Sequence, residues 1–578
     1  MTLDGYTGKV LRVDLESGRL SHEELDEALL RQYVGGTGLG AWYLYKEVPP
    51  TLDWSDPQNR LIIASGPLGG TSLDGTGSFS VVTKGALTNG AASSQANGFL
   101  GAFLKFCGFD AIVIQGTAPR WVYLYIEEGK AELREASHLM GKDTWETEAL
   151  IRSETGKKER QLSVACIGPA GENLVRFAAL VAEKTHVAGH NGIGAVMGSK
   201  RLKAVAVARG QRAVTINDRQ AFSAQAKELF LKRINDEAVG KRLYLWGPNT
   251  LYTISEPTGR LPVKNLTASS WPLAEKFAAP YYRQHWQIKP NPCWACRNHH
   301  CYRIKVLEGP YSGYEGEEPE YEIMAALGSN IGLTDPGAAF MLCNEVDRLG
   351  MEGIEAGWIT SWLMECYEKE LITRDEVDGL DLTWGNAEVV KALLHRIARR
   401  QGVGDFLAEG MMRSCESKGG AARECGVYTL KGNTPRAFEV RAGMWSEILD
   451  EATSNLGFAE NAITHVEEFG LAQTDPYSPE EVPFLAAAMK GKTVFMDSLV
   501  ICFHCTGHFI QPLVELLNAA TGWDFTKEEA RDVGLRVVNL MRAYNLRAGI
   551  GPGVEKPSAR LLAAPTSGPA QGKSIASV

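Results

Sequence analysis

The chain has 578 residues, of which 44% are hydrophobic and 22% charged, and its formal net charge is -9. This length exceeds the roughly 250 to 300 residues that one hydrophobic core supports, so we expect several domains. The acidic balance offers no basic field for nucleic acid, and we find neither a signal peptide nor a run of about 18 apolar residues that could span a membrane. These features predict a cytoplasmic protein whose eleven cysteines stay reduced.

The predicted elements change character along the chain. Up to about residue 210, short β-branched runs such as "RLIIAS", "SFSVVTK" and "KAVAVARG" alternate with glycine-rich turns, which predicts β-sheet. From "TINDRQAFSAQAKELF" onward, apolar residues recur three and four positions apart, which predicts helices. Residues 556–578 are small, polar and proline-bearing, so we expect a flexible tail there.

The segment "NPCWACRNHHCYRI" holds three cysteines within nine positions, and two more lie far along the chain. Cys293 and Cys296 form one C-x-x-C pair, and Cys502 and Cys505 form another. Two pairs could hold a tetrahedral zinc ion, but the pairs of zinc ribbons are ~15 to 20 residues apart, far closer than these. With Cys301, three thiolates from one loop and one from a distant segment suit an iron-sulfur cubane better. We predict Cys293, Cys296, Cys301 and Cys502 as cluster ligands and Cys505 as a spare thiol.

His299 and His300 lie in the same segment. A histidine beside a metal site usually supports a ligand rather than acting as one, so we interpret both as loop or hydrogen-bonding residues. The other six cysteines stand singly in mixed or apolar surroundings, which indicates plain burial.

Several phrases, in their order along the chain, carry a family resemblance. "GYTGKVLRVDL", "YVGGTGLGAWYLYKEVPP", "SGPLGGT", "GHNGIGAVMGSKRLKAVAV", "EPEYEIMAALGSNIGLTD" and "MRAYNLRAGIGP" resemble the tungsten-dependent aldehyde:ferredoxin oxidoreductases. The resemblance implies a tungsten or molybdenum ion held by the dithiolenes of two pterins, with magnesium on the pterin phosphates as a further candidate. It also implies a four-iron, four-sulfur cluster that passes electrons to ferredoxin or a small iron-sulfur subunit.

In terms of fold, the resemblance implies an α+β multidomain chain. A sheet-rich base domain, residues 1–210, would precede two mainly helical domains, with the cofactor at their junction. The first helical domain, 211–425, would hold the C-x2-C-x4-C loop and one pterin motif. The second, 426–555, would hold the other pterin motif and the fourth cluster cysteine, and 556–578 the tail.

Two similar hexads, "DRLGME" and "DSLVIC", match the pattern that positions the two pterins in the family, and glycine-bearing loops match those that approach the pterins. Taken alone, the glycines fit ordinary turns equally well, and the first hexad fits an amphipathic helix with a solvated acidic face. The cofactor contacts that the resemblance implies are Ser78, Gln95, Gly98, His190, Gly192, Gly194, Ala195, Asp347, Gly350, Met351, Glu352, Asp497 and Ile501.

The chain lacks four arginines that are usual in the family. Thr37, Ser78, His190 and Leu456 stand in their places. Arginine supplies a permanent charge and a five-donor fork to phosphates or cluster thiolates. The neutral replacements cannot do so, and His190 could do so only in part.

Proton transfer is expected from carboxylates. Glu460 stands where the family has a histidine near the metal, and Glu320 and Glu322 match the acidic phrase that supplies the family's active-site glutamate. Burial near other acids raises a carboxyl pKa towards neutrality, which suits a proton carrier. We predict all three as catalytic candidates.

The leading functional hypothesis is oxidation of an aldehyde to a carboxylic acid by a homodimer or hetero-oligomer. Within the same class, a reductive enzyme acting on an acid or an aromatic acyl-CoA remains an alternative. A non-catalytic, metal-stabilised subunit is the alternative from another class.

Overall fold

The structure is a computed structural model that describes residues 3–237, 239–298, 301–461 and 463–578. The described residues form two six-stranded sheets and one three-stranded sheet. The strands are β1 Lys9–Asp14, β2 Arg19–Glu24, β3 Leu61–Ala64, β4 Phe79–Lys84, β5 Ala91–Ala96, β6 Ala111–Gln115, β7 Val122–Glu127, β8 Lys130–Glu135, β9 Leu162–Cys166, β10 Leu180–Ala182, β11 His186–Ala188, β12 Leu202–Ala208, β13 Gln287–Pro290, β14 Tyr302–Lys305 and β15 Glu315–Glu317.

Helices separate and follow these strands. The α-helices are α1 Glu27–Tyr33, α2 Gly36–Glu47, α3 Leu100–Phe106, α4 Thr144–Thr155, α5 Pro169–Glu172, α6 Ile193–Ser199, α7 Arg219–Ile234, α8 Gly240–Trp246, α9 Tyr252–Ser255, α10 Ala274–Phe277, α11 Ala279–His285, α12 Tyr321–Ala326, α13 Pro336–Leu349, α14 Gly353–Glu368, α15 Ala387–Ala398, α16 Val403–Leu407, α17 Met411–Lys418, α18 Gly420–Glu424, α19 Trp445–Thr453, α20 Glu481–Ala488, α21 Lys492–Leu499, α22 Phe503–Thr506, α23 Gln511–Thr521, α24 Lys527–Arg547 and α25 Ala559–Leu562. Short 3-10 helices are Ser137–Leu139, His190–Gly192, Pro248–Leu251, Ser329–Ile331, Asp375–Val377, Val466–Phe469, Pro552–Val554 and Ile575–Ser577.

The two large sheets form the base of the molecule. The first has the order β2-β1-β6-β3-β4-β5, in which only β1 and β6 are parallel, with Val10 opposite Ala111. The second has the order β11-β10-β9-β12-β7-β8, in which only β12 and β7 are parallel.

Alternate residues of the first sheet face two different cores, because successive side chains of a strand point to opposite faces. Leu11 and Ile63 pack in one core with Val205 of the second sheet. Val10 and Ile62 pack on the other side, against α2 and α24. A sheet covered on both faces explains why the β-branched runs of the sequence are apolar without interruption.

Helices dominate the remainder. The largest core is built mainly from α12 to α17, and another joins α7, α21 and α23. The small sheet has the order β13-β14-β15, and the loop between β13 and β14 carries the cysteine-rich segment. Among the helices of the described ranges, none is long and apolar enough to cross a bilayer.

Residues 556–578 pack onto the helical region, which departs from the flexible tail expected from composition. Leu561 and Ile575 are buried in the largest core. The Leu430 N–H donates to Lys556 O at 2.8 Å. Two apolar side chains and backbone pairing therefore hold a segment whose average composition is polar.

The predicted fold class is confirmed, because a sheet-rich amino-terminal region is followed by helical domains. The boundaries proposed within the helical region, and the division into 1–210, 211–425 and 426–555, stay predictions.

Candidate functional site

Five cysteine thiols from two distant segments meet at one place. The Cys505 thiol is in hydrogen-bonding contact with the thiols of Cys296 and Cys502. The pKa of the Cys301 thiol is raised well above its usual value, first by the hydrogen-bonded Cys293 thiol, then by burial and further by Cys296. The two groups of thiols therefore adjoin. The structure brings together the four cysteines predicted as ligands and adds Cys505, which was predicted to be a spare thiol.

Two chain segments position these thiols. Cys293 and Cys296 lie in the loop after β13, Cys301 directly precedes β14, and all three are half-buried. Cys502 is buried at the N-cap of α22, where its N–H donates to Gly75 O at 3.1 Å. The base thus supplies the contact that brings the distant segment against the loop.

A histidine that the sequence analysis did not single out also lies here. His186 Nε2 lies 3.3 Å from Cys293 Sγ. The donor atoms of His186, Cys293 and Cys301 all lie within 4.8 Å of one another. Its position on the short strand β11 gives it no local metal-binding spacing, so no sequence signal pointed to it. The predictions for His299 and His300 lie outside the described residues.

The loop after β5 lies directly against the cysteine segment. The Trp294 N–H donates to Gly98 O at 3.1 Å. Gly98 has a φ of +108°, and a Cβ there would lie 1.9 Å from Glu183 Oε2, so this position requires glycine. Gln95 Nε2 donates to Ile501 O at 3.1 Å, whereas Gln95 Oε1 is buried without a hydrogen-bond partner in the described part of the chain.

The first hexad joins α13 to α14. Gly350 ends α13 with a φ of +73°, and Met351 forms a β-bridge with Ala178 of the base. Glu352 caps α14 by accepting hydrogen bonds from the first backbone N–H groups of that helix. Burial raises the pKa of Asp347 well above its usual value, and nearby His186 lowers it only in part.

The second hexad ends α21 and leads into Cys502. Burial alone raises the pKa of Asp497 to about 7. A Cβ at Gly36 would lie 2.3 Å from Asp497 O, so the beginning of α2 approaches this backbone closely. Val500 has a φ of +58°, where the family usually has glycine, and Ile501 is buried beside it.

The loop that begins α6 holds three further predicted contacts. Gly192 is the N-cap of α6 with a φ of +72°, and the Gly194 N–H donates to Ala178 O at 2.8 Å. Ala195 is buried in the first turn of the helix. These contacts account for the glycines as packing residues, and their role towards a cofactor stays a prediction.

Hydroxyl groups occupy two of the positions where arginine is usual. Ser78 Oγ lies 3.0 Å from Gly75 O and 2.8 Å from Asn97 Oδ1. Thr37 Oγ1 lies 2.8 Å from Ser93 Oγ. Both side chains are buried and hydrogen-bonded, and neither introduces charge.

The other two positions are apolar or uncharged. Leu456 is buried beside α2 and α24. The His190 ring stacks on Phe458 with 5.9 Å between ring centroids. Burial first, and the nearby Arg436 second, lower the pKa of His190 to about 4, so the ring is neutral at pH 7 and does not replace an arginine's charge.

The two glutamates at the start of α12 face different surroundings. Glu320 Oε2 lies 3.6 Å from His504 Nε2, on the side of the cysteine thiols. Glu322 Oε1 lies 3.6 Å from Arg436 Nη1, and Arg436 also pairs with Glu447. Burial is the main cause that raises the pKa of Glu322.

Glu460 is fully buried in an ion-pair network. Its Oε2 lies 2.9 Å from Lys490 Nζ, and its Oε1 accepts the Asn455 N–H at 2.6 Å. Lys490 also lies 2.6 Å from Asp450 Oδ1. Both carboxylate oxygens are therefore engaged, and the catalytic role of Glu460 stays a prediction.

The structure adds one buried acid that the sequence analysis missed. Glu451 lines a cavity of about 20 Å³ together with His190, Glu352 and Arg436. Burial first, and Glu447 next, raise the pKa of Glu451 to about 8. Its position two residues before the phrase "TSNLGFAE" was the available signal, but an acid on an amphipathic helix is usually solvated.

Models of two parts of one family match almost the whole chain. The model described as "Aldehyde ferredoxin oxidoreductase, N-terminal domain" matches residues 10–209, and the model of domains 2 and 3 matches residues 225–577. The chain belongs to the aldehyde ferredoxin oxidoreductase family. The predicted family resemblance is thereby confirmed.

Similar members of the aldehyde ferredoxin oxidoreductase family include proteins named for different activities. A tungsten-containing aldehyde ferredoxin oxidoreductase of Pyrococcus furiosus is 39% identical over 555 residues, 95% of this chain and 90% of the relative. One of Thermococcus kodakarensis is 37% identical, with the same shares covered. The WOR-like subunit of an aliphatic sulfonate oxidoreductase of Pyrococcus furiosus is 31% identical over 94% of this chain and 86% of the relative.

A solved structure shares the fold of this aldehyde ferredoxin oxidoreductase family member. It is the active site complex BamBC of benzoyl coenzyme A reductase with 1,5-dienoyl-CoA, with a TM-score of 0.83 and 23% sequence identity. The match covers 96% of this chain and 91% of the other. At this identity the likeness concerns the fold alone.

Proposed function

We propose that the chain is a metallopterin oxidoreductase that oxidises an aldehyde to a carboxylic acid and delivers electrons to ferredoxin or a small iron-sulfur subunit. One aldehyde and one water give one acid, two protons and two electrons, and two one-electron carriers accept the electrons. The observation that carries the proposal is the convergence of five cysteine thiols beside Gln95, Gly98 and His186. Family membership supports the reaction class.

The donor set fits a four-iron, four-sulfur cluster, because such a cluster takes four thiolates. The proposed ligands are Cys293, Cys296, Cys301 and Cys502. Cys505 contacts Cys296 and Cys502, so it is the alternative to Cys502 as fourth ligand. A single zinc ion would leave a fifth thiol without a metal at the same place.

Three acceptor groups, of which Gln95 Oε1 and the Asp347 carboxylate are buried and the Asp497 carboxylate is half-buried, fit pterin N–H donors. Gln95 Oε1 has no hydrogen-bond partner in the described part of the chain. The carboxylates of Asp347 and Asp497 likewise accept no hydrogen bond from the described residues, and burial raises their pKa values. Amino and ring N–H groups of a pterin would satisfy all three. When bound, the pterin-held tungsten or molybdenum would supply two-electron chemistry and the cluster one-electron transfer.

Glu322 is the carboxylate we propose as proton carrier. Its pKa is raised by burial, and Arg436 holds the side chain from one side. Glu322 Oε1 would accept a proton from the attacking water and release it to solvent. Glu320, beside His504, is the second candidate, and Glu460 is the least available of the three because Lys490 and Asn455 occupy both of its oxygens.

Metal analysis of anaerobically purified protein tests the proposal. We expect tungsten or molybdenum, about four irons per chain and visible absorption from a cluster. An aldehyde panel with benzyl viologen should then show aldehyde-dependent dye reduction. One zinc with little iron would favour the metal-stabilised subunit, and a loaded protein that reduces an acid or acyl-CoA but oxidises no aldehyde would favour the reductive alternative.

A further inference from the structure

A large surface cavity lies beside the cysteine site. Its volume is about 790 Å³, and its walls include Trp294 and four basic side chains, Lys157, Arg209, Arg212 and Arg219. None of its described lining residues is acidic. This is unusual on a chain of net charge -9 and marks the cavity as a cationic surface on an acidic molecule.

Three arginines of the cavity have no acidic partner within ion-pairing distance among the described residues. Lys157 is paired with Glu127 at 2.5 Å. Arg209, Arg212 and Arg219 are exposed, and none forms an ion pair with a residue in the described ranges. Three free guanidinium groups favour an anionic partner, since arginine presents a fork of donors to carboxylates or phosphates.

Trp294 connects this cavity to the cysteine site. It lies between Cys293 and Cys296 in the sequence, so its backbone belongs to the loop that carries both thiols. The indole N–H donates to Thr71 O at 3.0 Å, and the Arg209 guanidinium lies 5.1 Å from the ring centroid. Trp294 thus lines the cavity with its side chain and directly follows the proposed cluster ligand Cys293 in the chain.

We propose that this cationic cavity is the docking surface for an acidic one-electron carrier protein. This inference rests on the proposed function and names the place where electrons leave. Each docked carrier would take one electron past Trp294, so two carriers dock in turn for each aldehyde, and the two protons leave to solvent. Charge complementarity favours a protein with a carboxylate-rich face, because the arginines stand exposed around an open cavity rather than buried around a small anion.

A triple variant tests the surface. R209Q/R212Q/R219Q removes the three free charges, and R374Q/R423Q/R531Q is the matched control, because it makes the same change in net charge at exposed arginines that do not line the cavity. With an acidic bacterial ferredoxin as acceptor, we expect the cavity variant to raise the KM for ferredoxin about tenfold and to flatten its dependence on salt. With benzyl viologen as acceptor, kcat should stay unchanged in both variants.

The outcomes separate this proposal from the function on which it rests. An equal KM for ferredoxin in the cavity variant and its control overturns the docking surface. Absence of aldehyde-dependent viologen reduction in the natural protein overturns the proposed function, while calorimetric titration of ferredoxin into the two variants still tests docking. Pyrophosphate that binds the natural protein and not the cavity variant, with ferredoxin binding unchanged, assigns the arginines to a small anion and overturns the proposal.

Discussion

The thiols of Cys296 and Cys505 are in hydrogen-bonding contact although more than 200 positions of sequence separate them. This contact joins the loop after β13 to the start of α22, so it ties the first half of the helical region to the second. It also makes the number of thiols at the site five, one more than a cubane requires.

Serine variants should distinguish the two distant cysteines. We expect C502S to lose iron and visible absorption, and C505S to retain about four irons per chain, because a hydroxyl replaces a thiolate poorly as a ligand. Iron analysis and visible spectra measure both effects. C107S is the control, since the Cys107 thiol donates to Ala208 O in the core of the base and is not one of the five converging thiols. Loss of iron in C505S and retention of iron in C502S would instead assign Cys505 as the fourth cluster ligand.

The two glutamates of α12 should differ in their effect on turnover. E322Q removes the carboxylate that faces Arg436 and should lower kcat about 100-fold with metal content unchanged, because proton transfer by a positioned group contributes on that scale. E320Q is the matched comparison and should lower kcat much less. Rates with benzyl viologen over a range of pH measure both, and a larger effect of E320Q would move the proton carrier to the side of the thiols.

Glu460 should matter for stability more than for chemistry. E460Q removes the charge that pairs with half-buried Lys490, which keeps Asp450, so we expect a loss of ~2 kcal/mol in the free energy of unfolding. Calorimetry of the loaded protein measures the change. E467Q, at an exposed pair with His465, should change stability by about 0 to 1 kcal/mol. A 100-fold fall in kcat for E460Q with unchanged stability would restore its predicted catalytic role.

The pH dependence of stability should include a contribution from Glu355. Burial raises its pKa to about 7, above that of an unfolded glutamate. A carboxyl with a raised native pKa contributes stability that is complete below about pH 4.3 and is lost as the pH rises through 7, worth ~3 kcal/mol in all.

The isosteric variant E355Q should therefore flatten the decline of the thermal midpoint between pH 5 and pH 8. The midpoint measured at intervals across this range tests it. E416Q, exposed on the nearby helix α17, should leave the decline as in the natural protein. A steeper decline in E355Q would show that folding does not raise the pKa of Glu355.

Much of the fold was accessible from local sequence. The run around Ile62 and Ile63 predicts a buried strand, because β-branched residues cluster there between turn signals. The close spacing of Cys293, Cys296 and Cys301 predicts a metal site from local sequence. The sequence phrases that resemble the family then predicted the order of the domains, which no single helix or strand could predict.

The remainder depends on partners that sequence spacing does not reveal. Lys490 lies 30 positions after Glu460, so the ion pair that engages this acid has no local signature. His186 reaches Cys293 from a three-residue strand of the base. Leu561 and Ile575 hold the segment 556–578 against the largest core. The average composition of this segment is polar, so composition alone does not reveal the packing of these two apolar side chains.

The uneven burial of the thiols has a chemical consequence. Cys293, Cys296 and Cys301 are half-buried, whereas Cys502 and Cys505 lie beneath the surface. The side of the proposed cluster that would give an outgoing electron the shortest route is therefore also the side that dioxygen would reach first. We therefore expect a cluster on the proposed ligands to exchange electrons readily and to be sensitive to air, with damage beginning at Cys293, Cys296 and Cys301 before it reaches Cys502.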